Sequence, residues 1–467
     1  MSISPQRHHR GALVLTALLS VPALAAAAPD VTWGSYETPF AADSPWNSRP
    51  VQPEFGTYVI PKSNYWPSIA SGAYSTSVFL AKASDTPMTI HGAGGKPGVW
   101  DPDAEALHEV TLPHWPAGVM GASGSDGHAD IVDPVTGILY SFWQLKQQNG
   151  VWVASLYAWS KLDGTGWGSP THYFQGARAA GVPPSAGIIR KHEVNDGQPM
   201  YRHALAVSLT FNALSRNPTY IFPATSADNN AATTNSGQIP EGALLMLPPS
   251  YDISKITNPL LHKVAATLQT YGAYVVDRNE GTPFYIYVEN GADFPLQRGK
   301  WDNNVARALD DIRANLRQVV HQRGWLDGNG KPLAAAKPAN LLSMRGAWHD
   351  AKGAALGQFD SASQSLVFPA GQQKVLLTNT SSTGLSKVSW AQPPAGHSCR
   401  FRVVAKGGAQ LRLQVLGGGE NFDSGMLNNG AGKTLPCPGA GARIVLMASS
   451  GGAGASSVQG ELLDSAK

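Results

Sequence analysis

Cysteine is scarce in this chain. Its 467 residues include two, Cys399 and Cys437, both in the last quarter. That excludes a cysteine-rich scaffold, and neither CxxC nor zinc-ligand spacing is present. In an oxidising compartment the two are expected to form one disulfide; the alternative is a pair of buried thiols. Charge is scarce too, at 14% of residues against roughly 25% in ordinary globular chains. Lys and Arg number 35 against 32 Asp and Glu. Such a balance argues against nucleic acid or an anionic membrane as the main partner, and against a polyanion held by charge alone. Long apolar runs are missing beyond the first residues, so no membrane insertion is expected. Ala93–Gly98 lacks phosphate-loop spacing, no GxSxG turn occurs, and no repeat period is visible. No cofactor and no metal are expected.

The first residues read as a leader. Arg7, His8, His9 and Arg10 precede an apolar run from Gly11 to Val21, and Ala23-Leu24-Ala25 offers a small-residue cleavage site. This is the pattern of a secretory signal peptide over 1–28, so the mature chain is expected to be secreted, periplasmic or extracellular.

What is abundant is glycine, with 50 residues, and tryptophan, with 13. The central stretch, from Gly127 to Gln144, predicts a β-hairpin turning at Asp133-Pro134-Val135-Thr136-Gly137. Pairing Asp133 with Ile138 sets Ile131 against Tyr140 and Ala129 against Phe142 on an apolar inner face. The opposite face then carries His128, Asp130, Ser141 and Trp143, expected to stand on an exposed sheet surface. A one-residue slip would scramble these pairs.

Along the chain, Trp152–Trp159 predicts a third strand, and Met200–Phe211 another with His203 on its apolar face. Gly187–Val194 is open between two forms. As a strand it puts Arg190 with His192; as a helical turn it puts Arg190 near Glu193. Ser226–Gly237 is polar and patternless, which predicts a surface loop near whatever site exists. Asn258-Pro259 opens a helix closed by Gly272. Phe284–Glu289 is a strand with Tyr285, Tyr287 and Glu289 on one face, and a second helix is expected over about 304–322. The fold class is therefore mainly β with a few helices. A β-rich main domain spans 29–326, a linker 327–357, and a small disulfide-stapled β-sandwich 358–467.

Three groups of phrases resemble a group of exported bacterial β-rich proteins. They are Gly127–Asp133 with Tyr140–Gln144; Gly187–Arg190 with His203–Leu205 and Phe222–Ala224; and Ile239–Gly242 with Tyr271-Gly272 and Asp277. The resemblance implies a secreted, mostly β protein and brings no mechanism with it.

Candidate chemistry must come from the residues. His128 with Asp130 is the leading polar pair, and the bland alternative is a structural pair at a hairpin end. A metal reading lacks a third ligand. His203 is more often a satisfied core histidine, and Arg190, His192 and Glu193 an ordinary surface cluster. Tyr285 and Tyr287 make either a sugar platform or an ordinary aromatic sheet face. A glycoside hydrolase needs two carboxyls, for which Asp130 with Glu193, Asp277 or Glu289 are candidates. A polysaccharide lyase needs a base and a charge-neutralising group, for which His128, His203, Arg190 and Tyr140 supply the types. The expected function is a secreted polysaccharide-cleaving enzyme acting on a polysaccharide or oligosaccharide, with hydrolysis slightly ahead of elimination. The expected catalytic set is His128, Asp130, Arg190, Glu193 and His203. Trp143, Ser141, Tyr285 and Tyr287 are expected to bind substrate. The alternative is a non-catalytic secreted glycan-binding or adhesion protein.

Overall fold

The central hairpin forms in the expected register. Asp133 pairs with Ile138, Ile131 with Tyr140 and Ala129 with Phe142 in a computed structural model of the chain. Asp133 closes the turn, its carboxylate accepting from the amides of Val135 and Thr136. The structure describes residues 1, 31–297, 301–334, 338–378, 380–393, 396–418, 421–439 and 441–465. The leader read over 1–28 lies almost wholly outside them. Among the described residues no helix is long and apolar enough to cross a membrane.

The hairpin strands, Ala129–Asp133 and Ile138–Trp143, are inner strands of a six-stranded sheet. Its order is 77–80, 129–133, 138–143, 156–161, 99–101, 106–108. The third strand expected over 152–159 is split at Ser155, whose amide bonds the Trp143 carbonyl. Leu156–Lys161 stays beside the hairpin, while Val151–Ala154 joins a separate four-stranded sheet.

A seven-stranded mixed sheet runs 54–55, 317–321, 244–246, 273–279, 205–210, 284–287, 68–70. Its central neighbours, Leu205–Thr210 and Ala273–Asn279, are parallel. Alternation decides how it packs. Leu205, Val207 and Leu209 face a core shared with the helices Pro259–Thr270 and Asn303–Asn315, whose Leu261, Val264, Leu268, Val305, Leu309 and Ile312 are buried there. Ala206, Tyr274, Val276 and Tyr287 face a second core that includes Val132 and Leu139 of the hairpin. Ala129, Ile131 and Phe142, on the hairpin's other face, pack into a third core with Ile90, Leu112 and Ala154. Helices, large sheet, hairpin sheet and small sheet are thus stacked in sequence. The hairpin lies inside the stack, which corrects the expectation of an exposed polar face.

The first helix is capped as read, with the Asn258 side chain accepting from the Leu261 amide and proline in the first turn. The second stops at Asn315, short of the expected 322. Leu316 is extended, and Arg317–His321 becomes a strand between Leu244–Met246 and Glu54–Phe55. Paired β-branched Val319 and Val320 suit that strand better than a helix.

The C-terminal region is a ten-stranded sheet curled round one core of Trp348, Phe359, Phe368, Phe401, Leu411 and Leu462, among others. Cys399 and Cys437 are disulfide-bonded. The linker expected over 327–357 contains strands in its second half, at Leu342–Met344, Trp348–His349 and from Ala355 on. Buried Trp348 makes this stretch part of the sandwich core. The sandwich is fastened to the main domain through Arg345, which pairs with Asp103 at 3.0 Å and lies 4.0 Å over the Tyr173 ring.

Candidate functional site

The five residues expected to form one catalytic set fall into two clusters. The first surrounds Arg190. Lys191–Glu193 is a short 3-10 turn, so the helical alternative is the one adopted. Glu193 accepts from the Arg190 amide at 2.9 Å, and its carboxylate meets His203 Nε2 at 3.1 Å. The His203 Nδ1–H donates to the Ala204 carbonyl. Arg190 Nε donates to Glu289 at 2.9 Å, and Lys191 reaches the same carboxylate at 3.3 Å. Lys263 bonds Asp196 and the Glu193 carbonyl. Burial opposes both charges of the Glu193–His203 pair. Their mutual attraction prevails, lowering Glu193 and raising His203 from their ordinary values. This is a closed ion-pair network rather than a catalytic group.

The second cluster surrounds Arg178, from the loop between Gly176 and Pro184. Its side chain is buried, and its guanidinium lies 3.7 Å over the Tyr287 ring. It donates to Asp277 at 3.1 Å. Tyr287 is therefore covered and is no sugar platform. Tyr285 is half-buried, with its hydroxyl donating to the Ala70 carbonyl at 2.8 Å.

His128 and Asp130 lie behind Arg178. His128 is 2% exposed and Asp130 fully buried. Burial, then the Arg178 charge, pushes the imidazole down to about 3. It is neutral at ordinary pH, and its Nδ1 has no hydrogen-bond partner. Burial raises Asp130 to about 6, against the opposing pull of the Ser185 hydroxyl and amide, the Ser141 hydroxyl and Arg178. The Ser185 amide donates to it at 2.7 Å. Neither His128 nor Asp130 can touch a polymer, and Ser141 is buried beside them. Direct catalytic roles for this pair, and substrate contact by Ser141, are corrected on that ground. Trp143 is half-buried, its indole N–H donating to Asp126 at 3.3 Å.

Arg178 pairs with Asp277, which in turn feels the charges of Asp228 and Asp126, carboxyls that no single stretch of sequence unites. Asp277 ends the Ala273–Asn279 strand, and its side chain keeps 17% exposure. Burial raises it to about 7; Arg178 opposes this, and the negative Asp228 and Asp126 add to it. Asp228, in the Asn-rich loop, is raised by burial. Glu241 is fully buried and held well above the usual carboxylate range by burial, then by Asp228 and Asp277. Its Oε1 accepts from the Asp228 amide at 3.2 Å. Each carboxyl shifts the other: Asp228 adds to the rise of Glu241, while Glu241 draws Asp228 back toward the usual range. Two close buried carboxyls cannot both ionise.

Local backbone geometry sets this arrangement. Gly242 has φ +84°, and a Cβ there would lie 2.2 Å from the Ile221 carbonyl oxygen, so glycine is required beside Glu241. Arg278 donates to Asn230 at 2.8 Å and Thr234 at 2.7 Å, tying the Asn-rich loop to the strand that carries Asp277. That loop, expected near a site, supplies Asp228.

Of these carboxyls, Asp277 is one the sequence offers as a partner in hydrolysis. Arg178, Asp228 and Asp126 were missed, since each sits in a stretch legible only as loop. Among the described residues no three His, Cys, Asp or Glu side chains are grouped so as to hold a metal ion. The arrangement offers a carboxyl raised toward neutrality in Asp277 beside the fixed positive charge of buried Arg178. No family profile, curated protein or solved structure matches the chain.

Proposed function

We propose that the chain is an exported polysaccharide-cleaving enzyme that acts by hydrolysis at the carboxyl cluster of Asp277, Asp228 and Glu241. One observation carries this reading. Asp277 keeps part of its side chain open, ion-pairs with Arg178 at 3.1 Å, and is raised to about 7 by burial and by the neighbouring charges of Asp228 and Asp126, while Glu241, bonded to the Asp228 amide, is held well above the usual carboxylate range. Hydrolysis of a glycosidic bond uses one carboxylic acid to protonate the leaving oxygen and one carboxylate as base or nucleophile. Environments that push neighbouring carboxyls apart in pKa assign those roles. Asp277 is the acid and Asp228 the carboxylate. Arg178 is a positioning residue that keeps the Asp277 side chain in place. The elimination reading is disfavoured because its groups are dispersed. His128 is interior, His203 and Arg190 are held in ion pairs, and Tyr140 lies on the opposite face of the hairpin. Export is supported by the leader pattern and by a disulfide of the kind oxidising compartments allow.

The test incubates the mature protein with neutral and uronic-acid polysaccharides, following reducing ends and the absorbance of new double bonds. Hydrolysis predicts reducing ends without absorbance, abolished by Asp277→Asn. Reducing ends accompanied by absorbance would establish elimination, and no product from any polymer would remove the enzyme reading.

A further inference from the structure

Three large rings stand in solvent on the rim that also carries the carboxyl cluster. Tyr65 is 66% exposed, Trp66 48% and Trp301 53%. An exposed ring forgoes the stabilisation that burying so large an apolar side chain contributes. Grouped exposure marks an interaction site more than scattered exposure does.

The rings are held in place. Trp66 and Trp301 meet edge-on, with centroids 6.2 Å apart and planes inclined by 63°. The Trp301 indole N–H donates to Asn303 at 2.7 Å, at the start of the second helix. The Tyr65 amide donates to the Gly281 carbonyl at 2.9 Å, and its ring lies so near Gly281 that a Cβ there would come within 3.0 Å of it.

Their location ties them to the cluster. Gly281 follows the Ala273–Asn279 strand, whose last residues include Asp277 and Arg278. The parallel neighbour Leu205–Thr210 runs into exposed Phe211, whose carbonyl accepts from the Ser236 amide at 2.9 Å, in the loop bearing Asp228. Rings and carboxyls thus share the rim at the carboxyl-terminal ends of the central parallel strands.

We infer that Tyr65, Trp66 and Trp301 form a stacking strip for a hydroxyl-rich polysaccharide, gripping the chain beyond the carboxyl cluster. Two features favour a sugar chain over a second protein copy. Inclined ring planes offer successive faces to a twisting chain rather than one flat apolar patch. The surroundings are polar, with Lys62, Asn64 and Glu280 exposed. Sugar rings place their C–H faces on aromatic faces and their hydroxyls toward such neighbours. The inference rests on the glycan reading above, but not on cleavage.

Electrophoresis of the mature protein through gels containing hydroxyethylcellulose, soluble starch or galactomannan tests it. At least one polymer is expected to retard the protein. The double variant Trp66→Ala with Trp301→Ala should need at least about tenfold more polymer for half-retardation, and Trp301→Phe should recover part of the loss. On the wild-type chain, the retarding polymer should protect Trp66 and Trp301 from oxidation by N-bromosuccinimide, read by mass spectrometry. This measurement does not depend on the variant's folding. The inference is overturned if none of the three polymers retards the protein, if the double variant is retarded equally, or if neither indole is protected. It is also overturned if the double variant converts a dimer to a monomer, because the rings then bind a second copy. Absence of cleavage alongside retardation would defeat the hydrolase proposal and leave the strip standing.

Discussion

Arg178 and Arg190 are built alike and do different things. Each is a buried guanidinium lying on a tyrosine ring, Tyr287 at 3.7 Å and Tyr36 at 4.7 Å. Each donates to a carboxylate from the large sheet's neighbourhood, Asp277 at 3.1 Å and Glu289 at 2.9 Å. The difference is the count of charges nearby. Around Arg190, the acids Glu193, Asp196 and Glu289 meet His203, Lys263, Lys191 and Arg190, so every carboxylate has a cation. Around Arg178, Asp126, Asp228, Glu241 and Asp277 outnumber Arg178 and Arg278. The excess is relieved by retaining protons, and retained protons near neutrality are what acid–base chemistry needs. Charge balance, more than residue type, separates the paired cluster from the one whose carboxyls are raised.

Breaking the balanced cluster should have the largest effect on stability. Arg190→Met takes from interior Glu289 its buried partner, leaving only the half-exposed Lys191 as cation, and is expected to cost about 3–5 kcal/mol in urea unfolding. A loss below about 1 kcal/mol would mean the network is slack. Asp277→Asn should act the other way, sparing the fold while lowering the cleavage rate at least about 100-fold. Equal loss of activity and stability would make Asp277 a structural residue like Glu289.

The pH dependence sharpens the contrast. A carboxyl raised to about 7 binds more protons folded than unfolded between pH ~4 and ~7. Its contribution to stability is full below its unfolded value and is lost as pH rises to its folded one. The unfolding free energy of wild type relative to Asp277→Asn should therefore fall across that window, by at most about 1.4 kcal/mol per pH unit. His203 is also raised, so its contribution is full below its unfolded value and disappears as pH rises through its folded value. His203→Gln should remove that alkaline loss and leave the Asp277 window intact. A flat profile in both variants would show that neither group is shifted. The smallest effect is expected from Glu241→Gln, whose side-chain oxygen still accepts from the Asp228 amide, with a change within about 1 kcal/mol. Glu241→Ala lacks the acceptor and should cost about 1–3 kcal/mol.

Legibility divided along physical lines. The hairpin register was readable because Asp133 and Gly137 demand one turn and the two-residue alternation does the rest. The Asn258-Pro259 helix start was readable because capping is local. The strand at 317–321 was misread as helix because Val319 continues the helical spacing, and only its pairing partners, distant in sequence, decide against it. The placement of Tyr287 beneath Arg178 was hidden for the same reason.

The amino-acid order by itself determined the mainly β class, the central register and the capped helix, all of which depend on neighbours a few residues apart. Only the tertiary structure decided that both hairpin faces are covered, that His128 is neutral and interior, that Arg178 pairs with Asp277, and that the Asp228 loop is bonded to Glu241. Burial and proton retention depend on which layers stack and which loops converge. Local pattern carries no record of either.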